Sequence, residues 1–195
     1  AGQHGIVVTD NIEDIEYDYF IPFLHLLGRL FISPDACYGG SYLKVDPALM
    51  EKWYDRLLVG RIKRKLTGVA WSVRTPSKSD YPRPVPLELM ADWIPGELHS
   101  VQVQNGEEAT ALGIHSHELE DFADAAALMM CMDEIVTIDT AAVHLAGAIG
   151  HPNVKLLLSK WASWRWRKPW YDNVKICRQI LPDDWPSALR QASSC

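Results

Sequence analysis

The chain reads as an α/β domain, a Rossmann-like parallel sheet with helices on both faces. Short runs rich in leucine and β-branched residues (Leu66 to Val73, Glu134 to Ile138, Val154 to Leu158) have the length of buried strands and lack polar alternation. Segments with helical spacing separate them, so strand and helix alternate from Leu66 to the C-terminus. Cap and turn residues fall at the joints, as in Asp139-Thr140 after one strand and Gly150 before the next.

Residues 1 to about 45 do not follow this alternation. Ile6-Val7-Val8 reads as a short strand, Asn11 to Asp18 as an acidic turn, and Phe20 to Phe31 as apolar without a clean period. This segment is either an N-terminal arm or the tail of a preceding domain. In both cases its apolar surface needs a cover, and self-association through Phe20 to Phe31 would supply one. The alternating domain is expected over 46–195.

Asp46 to Leu58 predicts a helix, with Asp46 as cap, Pro47 at the first helical position, and Leu49, Met50, Trp53 and Leu57 on one face. The first strand, Leu66 to Val73, runs into a proline-rich loop from Arg74 to Pro86. Leu87 to Trp93 is a short helix and Leu98 to Gln104 a second strand, with Gln102 and Gln104 on one side. Asn105-Gly106 ends that strand, and Glu107 begins a helical turn. His115-Ser116-His117 offers alternate imidazoles, but with no Cys or further His close in sequence it predicts a loop and no metal site. Asp121 to Met132 is apolar on most sides, hence a buried helix in which the methionines are core filler. Val174 to Arg178 is a last strand, and Asp183 or Asp184 caps a closing helix to Ala192.

Two stretches invite chemistry. After the strand ending at Ile138, Asp139 and Thr140 start a helix whose apolar face is Ala142, Leu145, Ala146 and Ile149. His144, off that stripe, shares a face with Thr140 near the helix N-terminus, where unpaired N–H groups suit a phosphate or diphosphate. A plain cap at Asp139 and a core histidine at His144 are the competing readings. Further on, Trp161, Trp164, Trp166 and Trp170 are interleaved with Arg165, Arg167 and Lys168. Aromatic and basic residues together can stack a base and hold phosphates, while buried indoles anchoring a long loop account for the same pattern.

Composition narrows the field. Apolar residues make up 48% of the 195, as in ordinary globular chains. A formal net charge of −6 argues against general nucleic-acid binding. No apolar run reaches the ~18 residues of a membrane span. The four cysteines lack paired spacing, which predicts a reduced, cytoplasmic chain. No GxGxxG follows the first strand and no GxSxG occurs, so neither a dinucleotide fingerprint nor a hydrolase elbow is present.

The segment DTAAVHLAGAIG, with Trp164-Arg165-Trp166, Pro169-Trp170-Tyr171, Arg178-Gln179, Gly68-Val69-Ala70-Trp71-Ser72 and Ser100-Val101-Gln102, resembles the family 9, heptosyltransferase-like glycosyltransferases. The nearest likeness is to the branch at the C-terminus of bacterial tetratricopeptide-repeat proteins. The resemblance implies the C-terminal, donor-binding half of an inverting GT-B enzyme, with a nucleoside-diphosphate sugar as donor and neither cofactor nor metal. It implies donor contacts from Asp139, Thr140, Ala141, Ala142 and His144, with Arg83 (second choice Lys78), Gln102, Trp164, Arg165 and Trp170. The general base and the acceptor site would lie on an N-terminal domain that this chain lacks, so the chain alone is expected to bind without turnover. Val73 stands where the family usually has Gly after Trp-Ser, which keeps the backbone farther from a ligand. The alternative is a non-catalytic interaction or scaffold module of a larger repeat protein, although no repeat pattern lies within these residues.

Overall fold

The computed structural model describes residues 16, 18–30, 33, 39–58, 64–73, 83–102 and 107–194. The expectations for Ile6-Val7-Val8, Lys78, Gln104 and Asn105-Gly106 lie outside them. The chain divides into two compact units, Ala1–Cys37 and Tyr38–Cys195. In the first, the apolar run without a clean period contains a short helix, α1 (Phe23–Arg29), started by Pro22. Tyr19, Phe20, Ile21 and Leu30 around it are exposed.

The second unit contains α2 (Pro47–Leu58), β1 (Leu66–Ala70), α3 (Leu87–Trp93), β2 (Glu97–Ser100), α4 (Glu107–Ala111) and α5 (Phe122–Met130). These are followed by β3 (Glu134–Ile138), α6 (Ala141–Ala148), β4 (Val154–Leu158), a 3-10 turn (Trp164–Arg167), β5 (Val174–Arg178) and α7 (Trp185–Ser193). All strand pairs are parallel, in the order β2-β1-β3-β4-β5. Gly68 pairs with Ile135 at the β1–β3 joint, and Ile135 with Val154 at the next.

Side chains of β3 and β4 alternate between two cores. Ile135, Leu156 and Leu158 join Trp53, Leu128, Val143 and Ala146 beneath α2, α5 and α6. Val136, Ile138 and Leu157 join Met90, Ala188 and Leu189 beneath α3 and α7. The sheet is thus covered on both faces, as its unbroken apolar strands require.

The caps follow the sequence. Asp46 Oδ1 accepts from Ala48 N at 2.9 Å, Asp121 Oδ1 from Ala123 N and Asp124 N, and Asp184 Oδ1 from Ser187 N. Asp184 therefore caps α7, while Asp183 takes a left-handed φ of 60°. Gly150, at φ 74°, closes α6 where a Cβ would meet Ser41 at 2.8 Å. Two strands are shorter than predicted. β1 stops at Ala70 because the N–H groups of Trp71 and Ser72 bond to the Gln102 side chain rather than to a ladder. β2 stops at Ser100, one residue before Val101 N makes its bond to Val69 O.

Two buried polar clusters hold the layers together. At the N-terminal end of the sheet, Glu134 accepts from Lys155 Nζ at 3.0 Å, from Lys65 Nζ, and from Asn153 Nδ2 at 3.4 Å. Between α2 and α5, Asp124 accepts from Trp53 Nε1 at 2.8 Å, Lys52 Nζ at 3.2 Å and Glu120 N at 3.2 Å. Burial raises the Asp124 pKa, but these donors and the Lys52 charge outweigh it, leaving the carboxyl below its ordinary 3.8. A carboxylate lowered on folding stabilises the protein above its unfolded pKa and loses that contribution as pH falls through the folded value. Asp124→Asn is therefore expected to lower stability by about 1.5–3 kcal/mol at neutral pH. In thermal melts the gap to wild type should hold down to about pH 5 and narrow below about pH 4; a gap that widens on acidification would contradict this.

Among the described residues no helix is long and apolar enough to cross a membrane.

Candidate functional site

In an open parallel sheet, ligands bind beyond the carboxyl ends of the strands where the strand order reverses. Here the chain passes from β1 outward to β2 and then returns to place β3 on the other side of β1. The crevice above β1 and β3 is therefore the place to look, and several of the predicted residues converge there.

Asp139 follows β3 directly and is buried. Thr140, extended at φ −142°, caps α6 by accepting from Ala142 N at 3.3 Å. Ala141 is exposed in the first turn, whereas the Ala142 side chain belongs to the core. Arg83, on the chain returning from the proline-rich loop, donates through Nη1 to the Asp139 carbonyl at 3.3 Å. Its neighbour Val85 bonds through N–H to Trp71 O at 3.0 Å, which ties this return to the end of β1.

His144 lies one turn into α6, with Nδ1 3.3 Å from the Tyr171 hydroxyl and its ring stacked on Trp166 at 5.4 Å. Burial lowers its pKa, Asp139 opposes this, and Arg165 adds to it. His144 is thus biased toward the neutral form, with Asp139 and Arg165 near enough to act on it. Gly147, one turn further along, makes this packing fit: a Cβ there would lie 2.3 Å from two Tyr171 ring atoms. Burial raises the Tyr171 pKa, as do a hydrogen bond and charge interaction with Tyr42.

The remaining candidates divide. Gln102 lies at the end of β2, and its Oε1 accepts from Trp71 N at 2.8 Å and Ser72 N at 2.9 Å. Its Nε2 donates to Ser72 Oγ at 3.3 Å. These bonds commit the Gln102 amide to shaping the floor of the crevice. Arg165 is an exposed member of the 3-10 turn, next to Trp164. Trp170 is half-buried against the core, Trp166 is fully buried, and Trp161 is 66% exposed. Both readings of the Trp/Arg segment thus have a footing: Trp166 anchors it, while Arg165 remains accessible beside His144.

Tyr171 and Gly147 lie in stretches that carry the resemblance, but sequence reasoning gave neither a role beside His144. The signal for Gly147 was its place three residues after His144, on the same helix face.

The described arrangement presents a helix N-terminus, a guanidinium, an imidazole biased toward the neutral form and a buried carboxylate around one crevice. Helix N–H groups and Arg83 suit a dianionic phosphate, and Asp139 suits hydroxyl donors.

Residues 120–187 match the model of glycosyltransferase family 9 (heptosyltransferase). No curated protein matches the chain. Among solved structures, it is similar to Escherichia coli ADP-heptose LPS heptosyltransferase II: TM-score 0.54 and 14% identity, over 78% of this chain and 52% of that one. It is also similar to a family 9 glycosyl transferase from Veillonella parvula: TM-score 0.56 and 12% identity, over 80% of this chain and 47% of the other. The chain thus spans about half the length of each. At these identities the structures establish a shared α/β fold, and the sequence match is confined to residues 120–187. The stretch similar to the glycosyltransferase family 9 (heptosyltransferase) model, Glu120 to Ser187, is the one that holds Asp139, Thr140, His144 and Tyr171.

Proposed function

We propose that this domain binds a nucleoside-diphosphate sugar in the crevice above β1 and β3 and forms the C-terminal, donor half of an inverting GT-B glycosyltransferase. The observation that carries this reading is the convergence of Arg83, Asp139 and His144 on the N-terminus of α6 at the strand-order reversal. The family-model match over α6 and the fold shared with an ADP-heptose LPS heptosyltransferase support it.

In such a transfer an acceptor hydroxyl displaces the nucleoside diphosphate, and negative charge develops on the leaving phosphate. The N–H groups at the start of α6, Arg83 and neutral His144 donate to that charge, a role worth several kcal/mol in a water-poor site. Asp139 holds the turn or accepts from sugar hydroxyls. The base that deprotonates the acceptor comes from a partner domain, so this domain by itself binds the donor without transferring it.

Calorimetric titration with a nucleoside diphosphate and with the bare nucleoside tests the reading. His144→Ala should weaken the diphosphate about 10- to 100-fold, the equivalent of one hydrogen bond to a charged group, and leave the nucleoside nearly unchanged. Asp139→Asn should keep the melting temperature while lowering affinity for the sugar-bearing donor. No wild-type binding at millimolar ligand would return the domain to the role of an interaction module in a larger protein.

A further inference from the structure

On the far edge of the sheet, away from the crevice, lies a cluster that the short-range sequence did not reveal. Glu97 and His99 are two residues apart on β2, so both side chains emerge on one face. The chain beyond α4 returns to this edge. His115 N donates to Leu98 O and Ser100 N to His115 O, each at 2.8 Å, forming a parallel bridge between His99 and His115. His117, two residues later, falls on the same face. The result is a row of stacked imidazoles, His99 lying 4.8 Å from His115 and 5.2 Å from His117 between ring centroids. The sequence expectation of an isolated His-Ser-His loop is thereby corrected: the third histidine comes from a strand that is remote in sequence.

Glu97 Oε1 lies 3.1 Å from His115 Nε2 and 3.5 Å from His99 Nε2. The ligand atoms of the three residues all lie within 4.8 Å of one another. Ligands held tetrahedrally at zinc distances of about 2.0–2.2 Å stand roughly 3.3–3.6 Å apart. The His99–Glu97 edge, at 3.5 Å, already has that length, and the His115–Glu97 edge, at 3.1 Å, is slightly shorter. His99 Nδ1 is 2.9 Å from His117 Nε2, so the ring of His99 is oriented from behind while Nε2 faces Glu97. This is how an outer partner fixes the tautomer of a metal-bound histidine.

We propose that Glu97, His99 and His115 bind a divalent transition ion of the zinc class, with His117 as the positioning residue behind His99. Two imidazoles and one carboxylate match zinc, whereas calcium and magnesium require a set dominated by oxygen. His99 is buried, while His115 is half-exposed on an open groove of about 720 Å³ that Arg64, Lys65 and Leu112 also line. The fourth position therefore opens to solvent, and the basic rim favours water or a small anion there. A bound ion would add a side-chain clip to the backbone bonds that already tie the 114–117 segment to β2.

The full chain, stripped with chelator, is titrated with Zn²⁺ against a chromophoric competitor and melted with and without the ion. The expected result is one saturable site and a higher melting temperature with zinc. The Co²⁺ form should absorb in the visible without a thiolate charge-transfer band, which separates this site from the four cysteines. His115→Ala and Glu97→Gln should each weaken binding by at least about a hundredfold, and His117→Gln by about 10- to 100-fold. Both primary variants lie on the accessible side of the cluster, so neither test relies on replacing buried His99. Unchanged affinity in His115→Ala and Glu97→Gln, or no stoichiometric binding by the wild-type chain at about 100 µM zinc, would overturn the proposal.

Discussion

Glu134→Ala is expected to lower the stability of the domain by about 3–5 kcal/mol. Glu134 is 1% exposed and Lys155, one strand over, is 3% exposed. Removing the carboxylate strips Lys155 of its buried counter-charge and takes an acceptor from Lys65 and Asn153 at the same time. A desolvated ammonium without that carboxylate accounts for most of the loss. Against a typical total of ~5–15 kcal/mol this is a large fraction, and urea unfolding midpoints will read it directly. The paired variant Glu134→Leu with Lys155→Met should recover most of the loss, because apolar side chains of similar volume can replace a buried ion pair. A single variant within 1 kcal/mol of wild type would show that the pair is not structural.

Trp166→Ala should cost a similar ~3–5 kcal/mol, for a different reason. The indole is 1% exposed and fills the core beside α6, so truncation leaves a cavity. The 3-10 turn is further anchored through its backbone, since Arg178 Nη2 donates to Trp166 O at 2.8 Å. The consequence reaches the crevice because Trp166 stacks on His144. Burial is the chief cause of the lowered His144 pKa. Removing the indole admits water and should move that pKa back up, measurable by following the imidazole resonances with pH. An unchanged His144 titration in a folded Trp166→Ala variant would mean that the stack does not control its environment.

How much of this was legible in the sequence depended on range. Strands β3, β4 and β5 and helix α3 stood out because a buried parallel strand is a short, unbroken apolar run and a helix repeats its apolar face. The caps at Asp46, Asp121, Thr140 and Asp184 were local chemistry and could be placed within a residue. The end of β1 was set instead by Gln102, some thirty positions away, whose amide takes the N–H groups that a longer strand would use. Arg83 reaching the Asp139 carbonyl, Tyr171 meeting His144 and His99 joining His115 are of the same kind. Each depends on which strand ends up beside which, and no local period encodes that.

The strand order also bears on the sequence of assembly. β3 finds β4 across a single helix, Ile135 to Val154, and β4 finds β5 across one loop. The joint between β1 and β3 closes a far longer loop, Gly68 to Ile135, with α3, β2, α4 and α5 all inside it. Closure entropy rises with loop length, so this is the joint that chain statistics resist most. It is also the joint above which Arg83, Asp139 and His144 meet. A growing chain therefore has no crevice until β3 has been made and has paired. A fragment that stops short of Glu134, or begins beyond Ala70, carries one wall of the cleft without the other.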